Sequence, residues 1–101
     1  MRLAPADAAS RFRLGLVLQM LGRLEEALRA YEAAARLHPA SPWAHAALSL
    51  VHLRLGDAVA ALREYRIVRS LDTELARGLL EILAEEAGLR SASRARATAA
   101  G

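Results

Sequence analysis

Residues 22–39 read GRLEEALRAYEAAARLHP, and thirty-four residues further on, residues 56–73 read GDAVAALREYRIVRSLDT. Six positions recur in step: Gly22/Gly56, Ala27/Ala61, Leu28/Leu62, Arg29/Arg63, Tyr31/Tyr65 and Leu37/Leu71. In the first copy Leu24, Ala27, Leu28, Tyr31, Ala34 and Leu37 fall at steps of three and four, which is one face of an α-helix. Glu25, Glu26, Arg29, Glu32 and Arg36 occupy the other face and read as solvated. The second copy keeps the scheme with Ala58, Ala61, Leu62, Tyr65, Val68 and Leu71.

The segments between the two copies read as helices too. Ser41-Pro42 offers an N-cap followed by a first-turn proline. Gly22 and Gly56-Asp57 sit where the chain reverses, as do residues 38–41 and Asp72-Thr73. Gly88 is expected to end the last helix, with Leu89 folding back on Leu83. The punctuation predicts five helices over 8–21, 24–37, 42–55, 58–71 and 74–87, joined by turns short enough to make neighbours antiparallel.

A hairpin of two such helices cannot bury its apolar face alone, so a repeated hairpin implies stacking. The fifth helix then covers the open side of the second hairpin, with Leu75, Leu79, Ile82 and Leu83 expected inward and Arg77, Glu81, Glu85 and Glu86 toward water. The resulting organisation is an N-terminal extension 1–7, a first repeat 8–41, a second repeat 42–75, a capping helix 76–89 and a basic flexible tail 90–101.

Composition agrees with an all-α chain. Of the 101 residues 54% are hydrophobic, chiefly Ala and Leu, and only 4% are aromatic. Few Val and Ile argue against a sheet. The absence of cysteine excludes a disulfide framework and a thiolate metal site. No apolar run is long enough to span a membrane, and no signal peptide is recognised, so a cytoplasmic location is expected. The net charge of +3 is carried by the tail: residues 1–89 hold 11 Arg and all 11 acids, leaving Arg90, Arg94 and Arg96. An Arg-rich tail can touch phosphate. A neutral body with acids interleaved among the Arg does not make a nucleic-acid platform.

The period and residue pattern resemble the tetratricopeptide repeat. Leu14-Gly15 match its first-helix pair, Ala27, Tyr31 and Ala34 its second-helix pattern, and Pro39 its closing proline. Residues 42–75 match less closely, through Leu48-Ser49, Ala61, Tyr65 and Val68, with Thr73 where proline is the rule. The family's early Trp is replaced by Arg11 and His45, and its first-helix Tyr by Leu18 and His52. The resemblance spans residues 8 to about 89. It implies a right-handed α-solenoid whose helices approach at Gly15/Ala27 and Ser49/Ala61, and whose concave wall is built from the first helix of each repeat. Carried over, the partner-binding groove comprises Phe12, Arg13, Leu16, Met20, Trp43, Ala47, Leu50, Leu53, Arg54, Arg77 and Leu80.

The residues of 43–53, WAHAALSLVHL, point to the same wall without the resemblance. One stripe, His45, Leu48, Ser49, His52 and Leu55, serves packing inside the hairpin. A second, Trp43, Ala46, Ala47, Leu50, Leu53 and Arg54, has no cover of its own in a one-layer stack, and an apolar face left open marks an interaction site. The expected occupant is an apolar or amphipathic peptide or helix of a protein partner, with Arg13, Arg54 and Arg77 meeting its acidic residues. The alternative is a homo-oligomerisation module, such as a homodimer, whose groove is filled by its own chain or a second copy. A weaker alternative is nucleic-acid contact through the tail. The Lys and Asn of the carboxylate-clamping members of the family are absent. His45 and His52 lie about 10 Å apart along one helix, too far to share a metal. No catalytic constellation, cofactor motif or metal motif is present, so a non-catalytic scaffold is expected.

Overall fold

The computed structural model describes residues 7–100, with side chains through residue 88. Five helices follow one another: α1 (Ala8–Met20), α2 (Leu24–Leu37), α3 (Pro42–Arg54), α4 (Ala58–Leu71) and α5 (Thr73–Ala100). The reversals into α2 and α4 turn on Gly22 and Gly56, at φ 80° and 91°. This is the left-handed region that glycine enters without a Cβ penalty. Pro42 opens α3 as foreseen, but Ser41 makes no side-chain cap. Aspartates cap instead. Asp7 accepts from the Ala9 amide at 3.3 Å, Asp57 from Ala60 at 3.0 Å and Asp72 from Leu75 at 3.0 Å.

Packing runs along a row: α1 on α2, α2 on α3, α3 on α4, and α5 on both α4 and α3. Among the described residues no comparable contact joins α1 to α4 or α5, so the row is an open stack and not a closed bundle. Inside the first hairpin the chains meet at Gly15, where an added Cβ would sit 2.6 Å from Cδ1 of Tyr31. The Tyr31 ring is fully buried, tilts against Phe12 at 5.4 Å, and donates its hydroxyl to Gln19 Oε1 at 2.7 Å. Inside the second hairpin Ser49 Oγ donates to the Ala61 carbonyl at 2.7 Å. Between the hairpins, Ala27 and Tyr31 of α2 cluster with Leu48 and Val51 of α3. A second cluster joins Val68 of α4 to Ala76 and Leu79 of α5.

Several expectations are corrected. Leu37, Leu62 and Leu71 are exposed, while Ala30 and Ala60, outside the expected stripe, are buried. A helix between two neighbours buries two faces, and close approach selects the small residues. On α5 Ala76 is buried and Ile82 largely exposed, and Glu86, expected in water, pairs with Arg54. Gly88 does not end α5, which continues to Ala100; a glycine stops a helix by entering positive φ, and only Gly22 and Gly56 do so among the described residues. The Leu89 side chain, and those of Arg90, Arg94 and Arg96, lie outside the described side chains, as residues 1–6 lie outside the described backbone. At the start of α2 the N-cap residue Arg23 pairs with Glu26, at 2.9 Å.

Candidate functional site

The first helices of the two hairpins, α1 and α3, with α5 beyond them, carry the side chains assigned to the concave wall. Helix α1 supplies Phe12, Arg13, Leu16 and Met20, and α3 supplies Trp43, Ala47, Leu50, Leu53 and Arg54. Met20 is 85% and Trp43 59% exposed, high values for the largest apolar side chains of a small domain. Leu16 and Leu80 are exposed to a lesser degree, and Arg13 and Arg77 are exposed as well. Phe12, Ala47, Leu50 and Leu53 are half-buried. Phe12 and Ala47 also pack against the Ala27–Tyr31–Leu48–Val51 cluster, so the rigid interior fixes part of the wall.

One cleft of about 340 Å³ opens in this wall. Phe12 and Arg13 of α1 and Trp43 of α3 face it from two sides, and Ala34, His38 and Ser41 close it from the end of α2 and the following turn. The structure therefore brings Phe12, Arg13 and Trp43 together; Leu16, Met20, Leu50, Leu53, Arg77 and Leu80 lie outside this cleft. His38 and Ser41 were not anticipated, because their place depends on how the 38–41 turn folds back.

The charges are arranged differently from the sequence reading. Arg54 Nη2 meets Glu86 Oε1 at 3.0 Å and ties α3 to α5. The contact engages one nitrogen of a side chain that is still one-third exposed. Arg77 lies 3.6 Å from Glu74 in an exposed pair one turn apart. Arg13 contributes an exposed cation at the cleft. Burial pushes the Tyr31 hydroxyl above the ordinary tyrosine range, and the nearby Arg54 charge partly offsets this. His45 is a bridge and not simply a packing residue: Nδ1 lies 2.7 Å from Glu64 Oε1 and Nε2 lies 3.0 Å from the Pro39 carbonyl. Both partners are acceptors, so both contacts are hydrogen bonds only when both ring nitrogens carry protons.

Among the described residues no three His, Asp or Glu gather where they could hold a metal ion, and no helix is long and apolar enough to cross a membrane. Among the described residues the arrangement offers surface for contact.

An open row of antiparallel helix hairpins is the architecture of a helical-repeat protein, an all-α right-handed solenoid. A family profile for the TPR repeat matches residues 20–56. A solved structure of a MamA mutant superposes with a TM-score of 0.65 at 32% identity, over 67% of this chain and 50% of that one. No match is found among curated proteins. The chain belongs to the tetratricopeptide-repeat family. It spans half the length of the MamA structure it resembles. The fold is a scaffold for protein–protein interaction and is generally non-catalytic.

Proposed function

We propose that this chain is a non-catalytic scaffold that takes an apolar or amphipathic segment of a protein partner, as a helix or extended strip, along the wall formed by Phe12, Leu16, Met20, Trp43, Ala47, Leu50, Leu53 and Leu80. The observation that carries this reading is the cleft between Phe12 and Trp43, with Trp43 more than half exposed at its rim. A water-exposed indole beside an apolar hollow gains by being covered, at about 25 cal/mol per Å² of apolar surface removed from water. Arg13 and Arg77 supply charge for acidic residues of the segment. Arg54 shares its charge with Glu86, so the apolar contacts dominate recognition.

The test uses affinity capture from native extract, followed by titration of the captured partner against Trp43 emission. A partner retained by the wild-type chain, lost with Leu50→Glu and shifting Trp43 emission supports the groove. A partner held equally by a folded Leu50→Glu variant, with Trp43 emission unchanged, refutes it.

A further inference from the structure

The 38–41 turn joins the two hairpins and lends His38 and Ser41 to the cleft. Ser41 adds no side-chain cap to α3. The His45 ring ties this turn to the second hairpin: Nε2 lies 3.0 Å from the Pro39 carbonyl, and Nδ1 lies 2.7 Å from Glu64 Oε1 on α4. Two acceptors are served only by a ring that carries two protons. A ring with one proton must leave one of them. Glu64 is the stronger claimant, because a hydrogen bond to a charged acceptor is shorter and about twice as strong as one between neutral groups. A bare Nδ1 would also set a lone pair against a carboxylate. The neutral ring therefore keeps Nδ1–H, and Nε2 meets the Pro39 carbonyl lone pair to lone pair.

The charges around His45 come from each packed element. From α4 it is Glu64 that reaches the ring, while Arg63 and Arg66 beside it are exposed. From the turn it is His38, exposed at the cleft. The last two turns of α2 carry Glu32 and Arg36, and the first two turns of α5 carry Glu74 and Arg77, which pair with each other. Among the described residues none of these four forms an ion pair with His45.

We propose that His45 is a proton-operated latch on the 38–41 turn, and that loss of the Nε2 proton loosens the cleft between Phe12 and Trp43. With both ring nitrogens protonated the turn is held and His38 and Ser41 keep their places in the lining. With Nε2 bare the turn is released. The inference rests on the cleft being where an apolar side chain of the partner sits, and it adds a regulator to that site. Binding is strongest in weak acid and falls as pH rises between about 5 and 8, the window in which histidine changes charge. By linkage, filling the cleft favours the held turn and takes up a proton.

Two measurements on the full chain test it across that window. Nitrogen NMR of the His45 ring follows the latch, together with exchange of the Ser41 amide, which donates to the His38 carbonyl at 3.2 Å, corrected for the intrinsic effect of pH. Fluorine NMR titration of trifluoromethylbenzyl alcohol, an uncharged aromatic probe, follows the cleft. As pH rises the ring is expected to lose the Nε2 proton and keep that on Nδ1, Ser41 exchange to quicken, and the probe to bind about 2- to 10-fold more weakly, the range that one hydrogen bond covers. His38→Gln keeps this dependence. Glu64→Gln, checked for helicity, removes it and holds the tighter affinity throughout: the amide accepts from Nδ1–H or donates to a bare Nδ1, so a neutral ring still reaches Pro39. His45→Gln, uncharged over the window, removes the dependence as well. A bridge that served stability alone would show no rescue by Glu64→Gln at the alkaline end. A neutral ring protonated at Nε2, or a dependence lost with His38→Gln, overturns the proposal. A probe bound equally tightly across the window overturns the latch and leaves the groove reading standing. A probe that binds at neither end removes the cleft, and the proposal with it, even where Ser41 exchange follows pH.

Discussion

Gly15 on α1 has no room for a side chain because the Tyr31 ring of α2 lies where its Cβ would be. The ring cannot swing aside: it is fully buried and its hydroxyl is held by Gln19. Gly15→Ala adds about 1 kcal/mol of helix propensity but forces an overpacked contact costing about 2–3 kcal/mol. The expected net loss is about 1–2 kcal/mol, a fall in Tm of roughly 4–8 °C per kcal/mol for a domain of this size. Thermal unfolding of Gly15→Ala measures it. A Tyr31→Leu background, which removes the ring, should abolish the penalty; a penalty unchanged there means the ring is not its cause.

The second hairpin solves the same approach with a serine. Ser49 is fully buried, and its hydroxyl is satisfied by the Ala61 carbonyl. Ser49→Ala removes one buried hydrogen bond and leaves the helical carbonyl its backbone partner, so the expected cost is about 1 kcal/mol. Ser49→Leu forces the helices apart and should cost more. Equal unfolding midpoints for wild type and both variants in a urea titration would contradict this packing.

The contrast between these sites shows how far sequence reaches. The period, the five helices and the close-approach positions were legible because each is local or repeats at a fixed interval. Gly22 and Gly56 were readable as reversals because each interrupts an apolar period. Gly88 was not readable as a continuation: glycine permits both a stop and a helix, and the choice lies with what packs around it. Ala30 and Ala60 were missed because periodicity marks the large side chains, whereas a helix between two neighbours buries its small ones. The wall residues were read as an uncovered stripe, whereas Ala46 packs against the Val68–Ala76–Leu79 cluster and only Phe12, Arg13 and Trp43 of the named wall meet in one cleft. The Arg54–Glu86 pair, 32 residues apart in sequence, and the place of His38 and Ser41 in the cleft depend on the turns between helices. The single residue Asp72 links α4 to α5, where residues 38–41 link α2 to α3, so α5 does not repeat the register of α3.

Tyr31 makes stability fall in alkali. Its folded pKa is raised above the unfolded value of 10.0, chiefly by burial. The stability it contributes is therefore fully present below about pH 10. As pH rises further the unfolded chain ionises first and releases more protons, so stability declines with pH through the folded pKa. Denaturant midpoints from pH 8 to 11 measure this slope. Tyr31→Phe should flatten it, while losing about 1 kcal/mol at neutral pH through the broken Gln19 bond. An undiminished slope in Tyr31→Phe would assign the alkaline loss to another group.

His45 holds α3 to α4 and to the inter-hairpin turn through Glu64 and the Pro39 carbonyl. In the first repeat Arg11 and Ala30 stand at the matching positions. Both side chains are mostly buried, at 12% and 18% exposure, so removing one leaves the other desolvated without its partner. His45→Phe alone should cost about 1–3 kcal/mol, chiefly through the stranded Glu64 carboxylate. Adding Glu64→Leu removes that stranded charge and should recover part of the loss, because Ala30 already shows that an apolar residue suits this position in the other hairpin. A double-mutant cycle of unfolding free energies should then give a coupling of about 0.5–3 kcal/mol. Strictly additive effects would mean that the 2.7 Å contact does not contribute to stability, and that Glu64 finds water as readily with His45 as without it.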